Sequence, residues 1–152
     1  MVEVQPVTVA YVAGKSAKNE KAMGSAIGAA YGELGRFLRS QGLEQAGPPI
    51  TVNTKWEGDL YEFDAAIPVN REPAMEAPAG SPVKVKRTYG GKAVRATHVG
   101  SYQRLPRVYE KLFAFVAAHG YEMAGPPWDE YVSDPGMTSE DRLITRVYVP
   151  VR

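Results

Sequence analysis

The feature that most constrains the fold is an internal repeat. The tetrad Ala-Gly-Pro-Pro occurs twice, at 46–49 and at 124–127, about 78 positions apart. A glycine placed to end a helix precedes each tetrad, and a proline between branched apolar residues follows it. These residues are Gly42 and Pro68 in the first half and Gly120 and Pro150 in the second. The repeat predicts two similar modules, at about 4–69 and 83–151, with a short insertion in one loop.

Each half also shows the same order of predicted elements. An extended stretch, 4–13 or 93–99, comes before a helix, and two more strands follow the proline pair. Those strands are predicted at 50–56, 60–69, 128–132 and 143–151. The helices are predicted from apolar residues at helical spacing, which are Met23, Ile27, Tyr31, Leu34, Phe37 and Leu38 in the first and Leu105, Val108, Tyr109, Leu112, Phe115 and Val116 in the second.

The predicted fold class is α+β, a tandem duplication of a β-α-β-β module. One module of about 70 residues buries little apolar surface by itself. We therefore expect both modules to share an antiparallel sheet, with two helices on one face and a ligand groove on the other. The stretch 70–82 is rich in Pro, Ala and Glu and is predicted to be an exposed connector inside a single domain, 1–152. The alternating run 83–87 is predicted to be a strand with one solvated face.

Composition excludes several kinds of site. The formal net charge is +1, which provides no broad positive field for nucleic acid. The chain has no cysteine, which excludes disulfides, thiolate zinc sites and a cysteine nucleophile. With two histidines, neither a metal site nor a cofactor is predicted. No signal peptide or membrane-spanning stretch is recognisable, so we expect a cytosolic protein without a membrane partner.

Strand alternation identifies the candidate ligand-binding residues. In the last strand, Ile144, Arg146 and Tyr148 share the face opposite the apolar side. In the preceding strand, Trp128 and Glu130 fall on one face, although the hydrophobic pattern does not decide which face that is.

The repeat singles out the acid. Counted from the tetrads, Glu130 corresponds to Val52 and Trp128 to Ile50, so the acid occurs in one half only. A carboxylate among aromatic residues is costly unless it is paired or serves a ligand. Glu130 is therefore either a ligand contact, or a residue that is solvated or paired with Arg146 for structural reasons.

Four other side chains have two interpretations each. Tyr11, Trp56 and Tyr102 either extend the aromatic lining of the groove or pack in the core. His98 titrates near neutrality, as a general base does, but its position beside a glycine turn favours a structural role.

The order of these motifs resembles that of the GyrI-like domains, a family that includes effector-binding domains of bacterial transcription regulators. The resemblance rests on Thr-His-Val-Gly-Ser-Tyr at 97–102, the following helix, Gly120, Pro-Trp-Asp-Glu-Tyr at 127–131 with Asp-Pro at 134–135, and the final strand 145–151. It implies two β-α-β-β modules around a groove with a central glutamate, here Glu130, and an aromatic residue, here Tyr148. The family binds varied small molecules, often aromatic and cationic, and some members hydrolyse electrophilic toxins.

Two departures from the family pattern affect the expectation. Arg146 stands where the family often has an acid, which argues against a cationic ligand. No DNA-binding domain is present in this sequence, so we expect a stand-alone domain that binds no nucleic acid directly.

Three hypotheses for function remain open. The first is a small-molecule binder with Trp128, Tyr148 and Glu130 at its centre. The second is a hydrolase that uses Glu130 in the same groove. The third is a protein-interaction module with an exposed apolar patch. A free sheet edge would also allow two copies to form a homodimer.

Overall fold

The computed structural model describes residues 1–70, 82–134 and 136–152. Along the chain, the elements are β1 (Val2–Val4), β2 (Thr8–Ala17), α1 (Glu20–Gln41), β3 (Ile50–Glu57), β4 (Leu60–Pro68), β5 (Val83–Arg87), β6 (Gly91–Val99), α2 (Leu105–Ala118), β7 (Trp128–Tyr131) and β8 (Ile144–Pro150). Short 3-10 helices lie at Tyr102–Arg104 and Glu140–Arg142. The predicted α+β class is confirmed. Positions 71–81 of the predicted connector, and Pro135, lie outside the described residues.

The chain divides into two compact units. The first unit is Pro6–Thr88, and the second unit combines Met1–Gln5 with Tyr89–Arg152. Each contains one long helix and four strands in antiparallel pairs, in the order β3-β4-β2-β5 in the first unit and β1-β6-β8-β7 in the second.

The core of the first unit lies between α1 and one face of its strands. The apolar residues predicted for this helix all belong to that core or pack against it. The helix begins at the cap Asn19, whose side chain accepts a hydrogen bond from Ala22 N. It ends at Gly42, whose φ of 64° is a left-handed conformation that glycine adopts without strain. The predicted helix stop is confirmed.

The core of the second unit lies between α2 and β6 and β8. Its fully buried members include Val147 and Val149 of β8, as the predicted alternation requires. Phe115, predicted on the packed side of the helix, is 40% exposed and instead stacks on His119 with ring centroids 3.9 Å apart. Phe115 lies beside Val116 on the helix circumference, and the core contact goes to Val116.

The predicted N-terminal strand 4–13 is two strands. Residues 2–4 pair with β6, and pairing with β4 and β5 begins in β2. Pro6 lies between the two strands and has no backbone N–H to donate to a ladder. After it, Val7 N donates to the Thr88 hydroxyl at 2.9 Å, and Thr88 N donates to Val7 O at 2.9 Å.

Corresponding hydrogen bonds occur in both units at the spacing of the sequence repeat. At the first residue of the first tetrad, Ala46 N donates to Pro68 O at 2.8 Å. In the second unit, Ala124 N donates to Pro150 O at 2.9 Å. These bonds join the start of each tetrad to the proline in the last strand of the same repeat, and the duplication itself stays a prediction.

Two glycine-to-alanine changes in the first unit should have opposite effects. Gly14 in β2 lies directly opposite Phe63, and a Cβ there would lie 2.4 Å from a ring carbon of Phe63, whose side chain is 1% exposed. Gly14→Ala should therefore cost on the order of 1–3 kcal/mol. A Cβ on Gly28 in α1 meets no atom within 4 Å, so Gly28→Ala should stabilise by about 1 kcal/mol.

Urea unfolding of both variants beside the wild type checks this pair. Equal midpoints for the two variants would contradict the packing of Phe63 over Gly14.

Candidate functional site

Strand β8 separates two kinds of side chain. Thr145, Val147 and Val149 are fully buried on the side of α2. Arg146 and Tyr148 alternate with them and lie on the opposite face, which we call the helix-free face of the second unit. The face assignment predicted for the last strand is confirmed.

The rings of Trp128 and Tyr148 stack across neighbouring strands on this face. The two residues are direct partners in the β7–β8 ladder, their ring centroids are 4.8 Å apart, and their planes differ by 8°. Each residue is 7% exposed. The stack decides the polarity of β7, which sequence alone left open, because it places Trp128 and Glu130 on the helix-free face.

Glu130 lies one alternation further along β7, opposite Arg146. The hydroxyl of Tyr148 donates to Glu130 Oε1 over 3.4 Å, and Arg146 Nη1 is 3.8 Å from the same oxygen. Both distances are long for contacts of their kind. The Glu130 side chain is 22% exposed and that of Arg146 is 42% exposed. Such a half-exposed, loosely paired ion pair contributes little stability, at most about 1 kcal/mol, so its partners remain available to other groups.

The other side of β7 is held by the helix. Asp129 is 8% exposed and accepts a hydrogen bond from the Tyr109 hydroxyl of α2. Next to it, Tyr131 packs against Tyr102 with ring centroids 5.5 Å apart. Burial, together with the negative charge of Asp134, raises the pKa of Tyr102 above its ordinary value of 10.0. Tyr102 therefore packs on the helix side, away from the helix-free face.

Tyr89 belongs to the aromatic group and was missed by sequence reasoning. Its ring lies 6.0 Å from that of Trp128, and its hydroxyl donates to Lys92 O at 2.7 Å. A Cβ on Gly91, whose φ is 138°, would lie 2.8 Å from that hydroxyl. The signal in the sequence was an aromatic residue directly before the pair Gly90-Gly91, because the second glycine gives the ring room to fold back.

The chain matches the family described as the GyrI-like small molecule binding domain over residues 1–152. It belongs to the GyrI-like family.

Several solved structures are similar in fold to this chain. The C-terminal domain of EcmrR is 15% identical, with 99% of this chain and 94% of that chain covered and a TM-score of 0.85. In the complex of EcmrR with DNA, the match covers 99% of this chain at 16% identity and a TM-score of 0.85, but this chain spans only 56% of EcmrR.

Two further structures have the same fold. A hydrolase from Listeria innocua is 17% identical, with 99% and 90% of the two chains covered and a TM-score of 0.67. SAV2435 bound to tetraphenylphosphonium is 10% identical, with 99% and 92% covered and a TM-score of 0.65. No curated protein matches the sequence. At such identities the likeness shows the fold alone.

In the first unit of this GyrI-like domain, the predicted lining residues Tyr11 and Trp56 lie on opposite faces of the strands. Tyr11 is on the face of the first unit's strands away from α1, with Lys86 Nζ 4.0 Å from its ring centroid. Trp56 is opposite Tyr61, a core residue, with ring centroids 5.4 Å apart. The cause is a register shift between Asn53 and Lys55, which reverses the alternation of β3. Trp56 therefore lies on the side of α1 and Tyr11 on the opposite side, and the binding roles predicted for them stay predictions.

The histidine considered as a base has a structural contact. His98 Nε2 is 2.8 Å from Ser101 O, and because a carbonyl oxygen can only accept, Nε2 carries the proton in this contact. No cluster of three or more potential metal ligands occurs in the described parts of the GyrI-like chain. In the same residues, neither helix has the length and apolar character needed to cross a membrane.

Removing the Tyr109 hydroxyl, which contacts β7 from the side of α2, should destabilise the domain. Tyr109→Phe deletes the donor to the buried Asp129 carboxylate, so we expect a loss of about 1–2 kcal/mol in the free energy of unfolding. Tyr31→Phe is the matched control, because Tyr31 occupies the corresponding position in α1 but donates to the neutral Ile50 O. A smaller loss is expected there, since hydrogen bonds to charged groups are the stronger ones. Equal stability of Tyr109→Phe and wild type in urea unfolding would refute the anchoring role.

Proposed function

We propose that this GyrI-like domain binds a flat aromatic or otherwise hydrophobic small molecule at the helix-free face of its second unit. The observation that carries the proposal is the stacked pair of Trp128 and Tyr148 directly beside a partly exposed carboxylate, Glu130, with long contacts to its neighbours. Membership of a small-molecule binding family supports it.

The proposed contacts divide by exposure. Trp128 and Tyr148 are nearly covered, whereas Glu130 and Arg146 keep part of their surface in solvent. A ligand therefore arrives past the two charged side chains. Its apolar part packs against the small part of the aromatic pair that stays exposed. A polar group of the ligand then meets Glu130, whose carboxylate can accept further hydrogen bonds.

The protein's own tryptophans provide the test. Trp56→Phe removes the exposed tryptophan of the first unit, which lies on the side of α1. Trp128 is then the sole indole reporter. In this background, titration with aromatic cations, neutral aromatics and electrophilic toxins should change Trp128 fluorescence. A ligand at 100 times its Kd should also stabilise the fold by about 2.7 kcal/mol.

The role of the acid is tested in the same titrations. Glu130→Gln keeps the shape but removes the charge, and we expect about tenfold weaker binding of ligands that donate a hydrogen bond. Glu110→Gln, on the exposed side of α2, should bind as the parent does. Unchanged affinity of Glu130→Gln for every ligand that binds would remove Glu130 from the site.

A hydrolase is the second candidate. The observation that favours it is the adjacency of an acceptor, Glu130 Oε1, and a donor, the Tyr148 hydroxyl, at 3.4 Å. Such a pair can accept a proton from water and donate one to an opening electrophile. The Listeria innocua protein of the same fold is a hydrolase. Incubating each binding electrophile in excess decides between the two, since a binder protects one equivalent and an enzyme consumes the excess.

A protein partner is the third candidate, and we propose no direct contact with nucleic acid. Phe113 and Phe115 of α2 are 41% and 40% exposed, outside the helix-free face. If no compound in the panel binds, these side chains become the first place to look for a protein partner.

A further inference from the structure

The helix-free face contains an arginine whose hydrogen bonds are incomplete. Within the described part of the chain, Arg146 Nε is buried and has no hydrogen-bond partner. Its Nη1 is 3.8 Å from Glu130 Oε1, which is too long for a hydrogen bond. A buried donor left without an acceptor is unfavourable, and binding an acceptor would relieve this.

The charges around Arg146 favour an anionic acceptor. On β6 the direct partner of Arg146 is Thr97, and that of Tyr148 is Arg95, so both β6 residues lie on the same face. The strand residues described on this face therefore include two arginines, Arg95 and Arg146, and one carboxylate, Glu130. A ligand with a permanent positive charge and no acceptor would add to the excess positive charge and leave Arg146 Nε unpaired.

We infer that Arg146 determines the ligand class of this site: a flat aromatic molecule that carries an anionic oxygen acceptor such as a carboxylate. The inference rests on the proposed binding function and deepens it. The guanidinium is planar and presents an Nε–Nη edge that matches a carboxylate with two parallel hydrogen bonds. Nε is shielded in the present arrangement, so the inference requires the guanidinium to turn and offer this edge when the ligand binds. The Arg146 side chain is 42% exposed.

The aromatic pair beside Arg146 explains why the ligand needs a ring as well as a charge. Arg146 and Tyr148 are two positions apart in β8 and lie on the same face. Val147, between them, points to α2. A ligand whose carboxylate reaches Arg146 therefore has the Trp128–Tyr148 pair within one alternation of the strand, about 7 Å. A short aromatic acid spans that distance.

Three probes that share one ring test the inference. Naphthoate, naphthamide and naphthyltrimethylammonium are titrated against the Trp56→Phe protein by fluorescence and calorimetry. Naphthoate should bind at least about tenfold more tightly than either of the others, as expected for charge-assisted hydrogen bonds. Arg146→Gln should reduce naphthoate affinity by about tenfold and bring it to the level of naphthamide.

Two further variants make the result specific. Arg146→Lys keeps the charge but not the planar fork, so it should recover only part of the affinity for naphthoate. Arg107→Gln removes a positive charge from the exposed side of α2, away from the strand residues that form the helix-free face. It should leave all three affinities unchanged.

The outcomes distinguish failure of the inferred ligand class from failure of the proposed binding function. If the ammonium probe binds as tightly as naphthoate, or Arg146→Gln binds naphthoate as the parent does, the inference is wrong and the binding function stands. If none of the three probes binds while the variants remain folded by circular dichroism, both fail together.

Discussion

The site depends on a strand of four residues being held from both faces. On one face of β7, Trp128 stacks on Tyr148. On the other, Asp129 accepts a hydrogen bond from Tyr109 of α2. A shift of one residue would send every side chain of the strand to the wrong face. Both anchors would be lost in such a shift, a buried carboxylate would lose its donor, and Glu130 would move to the apolar side. The register is therefore strongly specified although the strand is short.

The first unit has the same anchor but a different surface. Its Tyr31, the counterpart of Tyr109, donates to the backbone carbonyl of Ile50 and lies 3.1 Å from the Thr51 hydroxyl. Thr51 is the counterpart of Asp129 and is also fully buried. A tyrosine from the helix thus fixes the corresponding strand in each unit. The same kind of contact between helix and strand occurs within each unit, and this supports the prediction of a duplicated module.

Sequence patterns predicted what is local. Helical periodicity and the glycine at 42 gave the extent of α1 to within a few residues, because both signals act within one or two turns. Strict alternation also placed Arg146 and Tyr148 on one face, because β8 is regular throughout. The predicted neighbours Trp128, Glu130 and Tyr148 are close in space for the same reason, while their role in binding stays a prediction.

The features that the sequence analysis missed depend on contacts that the linear sequence does not show. Pairing of residues 2–4 with β6 joins segments about 90 positions apart, and no local pattern reports such a partner. The position of Trp56 depends on an irregularity at 53–55 that its sequence does not announce. Tyr89 could be recognised only once Gly91 was seen to make room for its hydroxyl. The first two misses depend on contacts between strands, whereas that of Tyr89 depends on the backbone conformation of a glycine two positions away.

A comparison of two ion pairs explains why the second unit, and not the first, provides the candidate site. Asp64 of the first unit is held by Lys86 Nζ at 2.7 Å, and the same ammonium group lies over the Tyr11 ring at 4.0 Å. That carboxylate and that cation satisfy one another. In the second unit, Glu130 and Arg146 are 3.8 Å apart, and among the residues that the structure describes none pairs with the buried Arg146 Nε. Since polar groups with incomplete hydrogen bonds gain most from a ligand, binding is expected where the pair is loose. The first unit pairs its charges closely, and the loosely paired charges of the second unit are the ones proposed to meet a ligand.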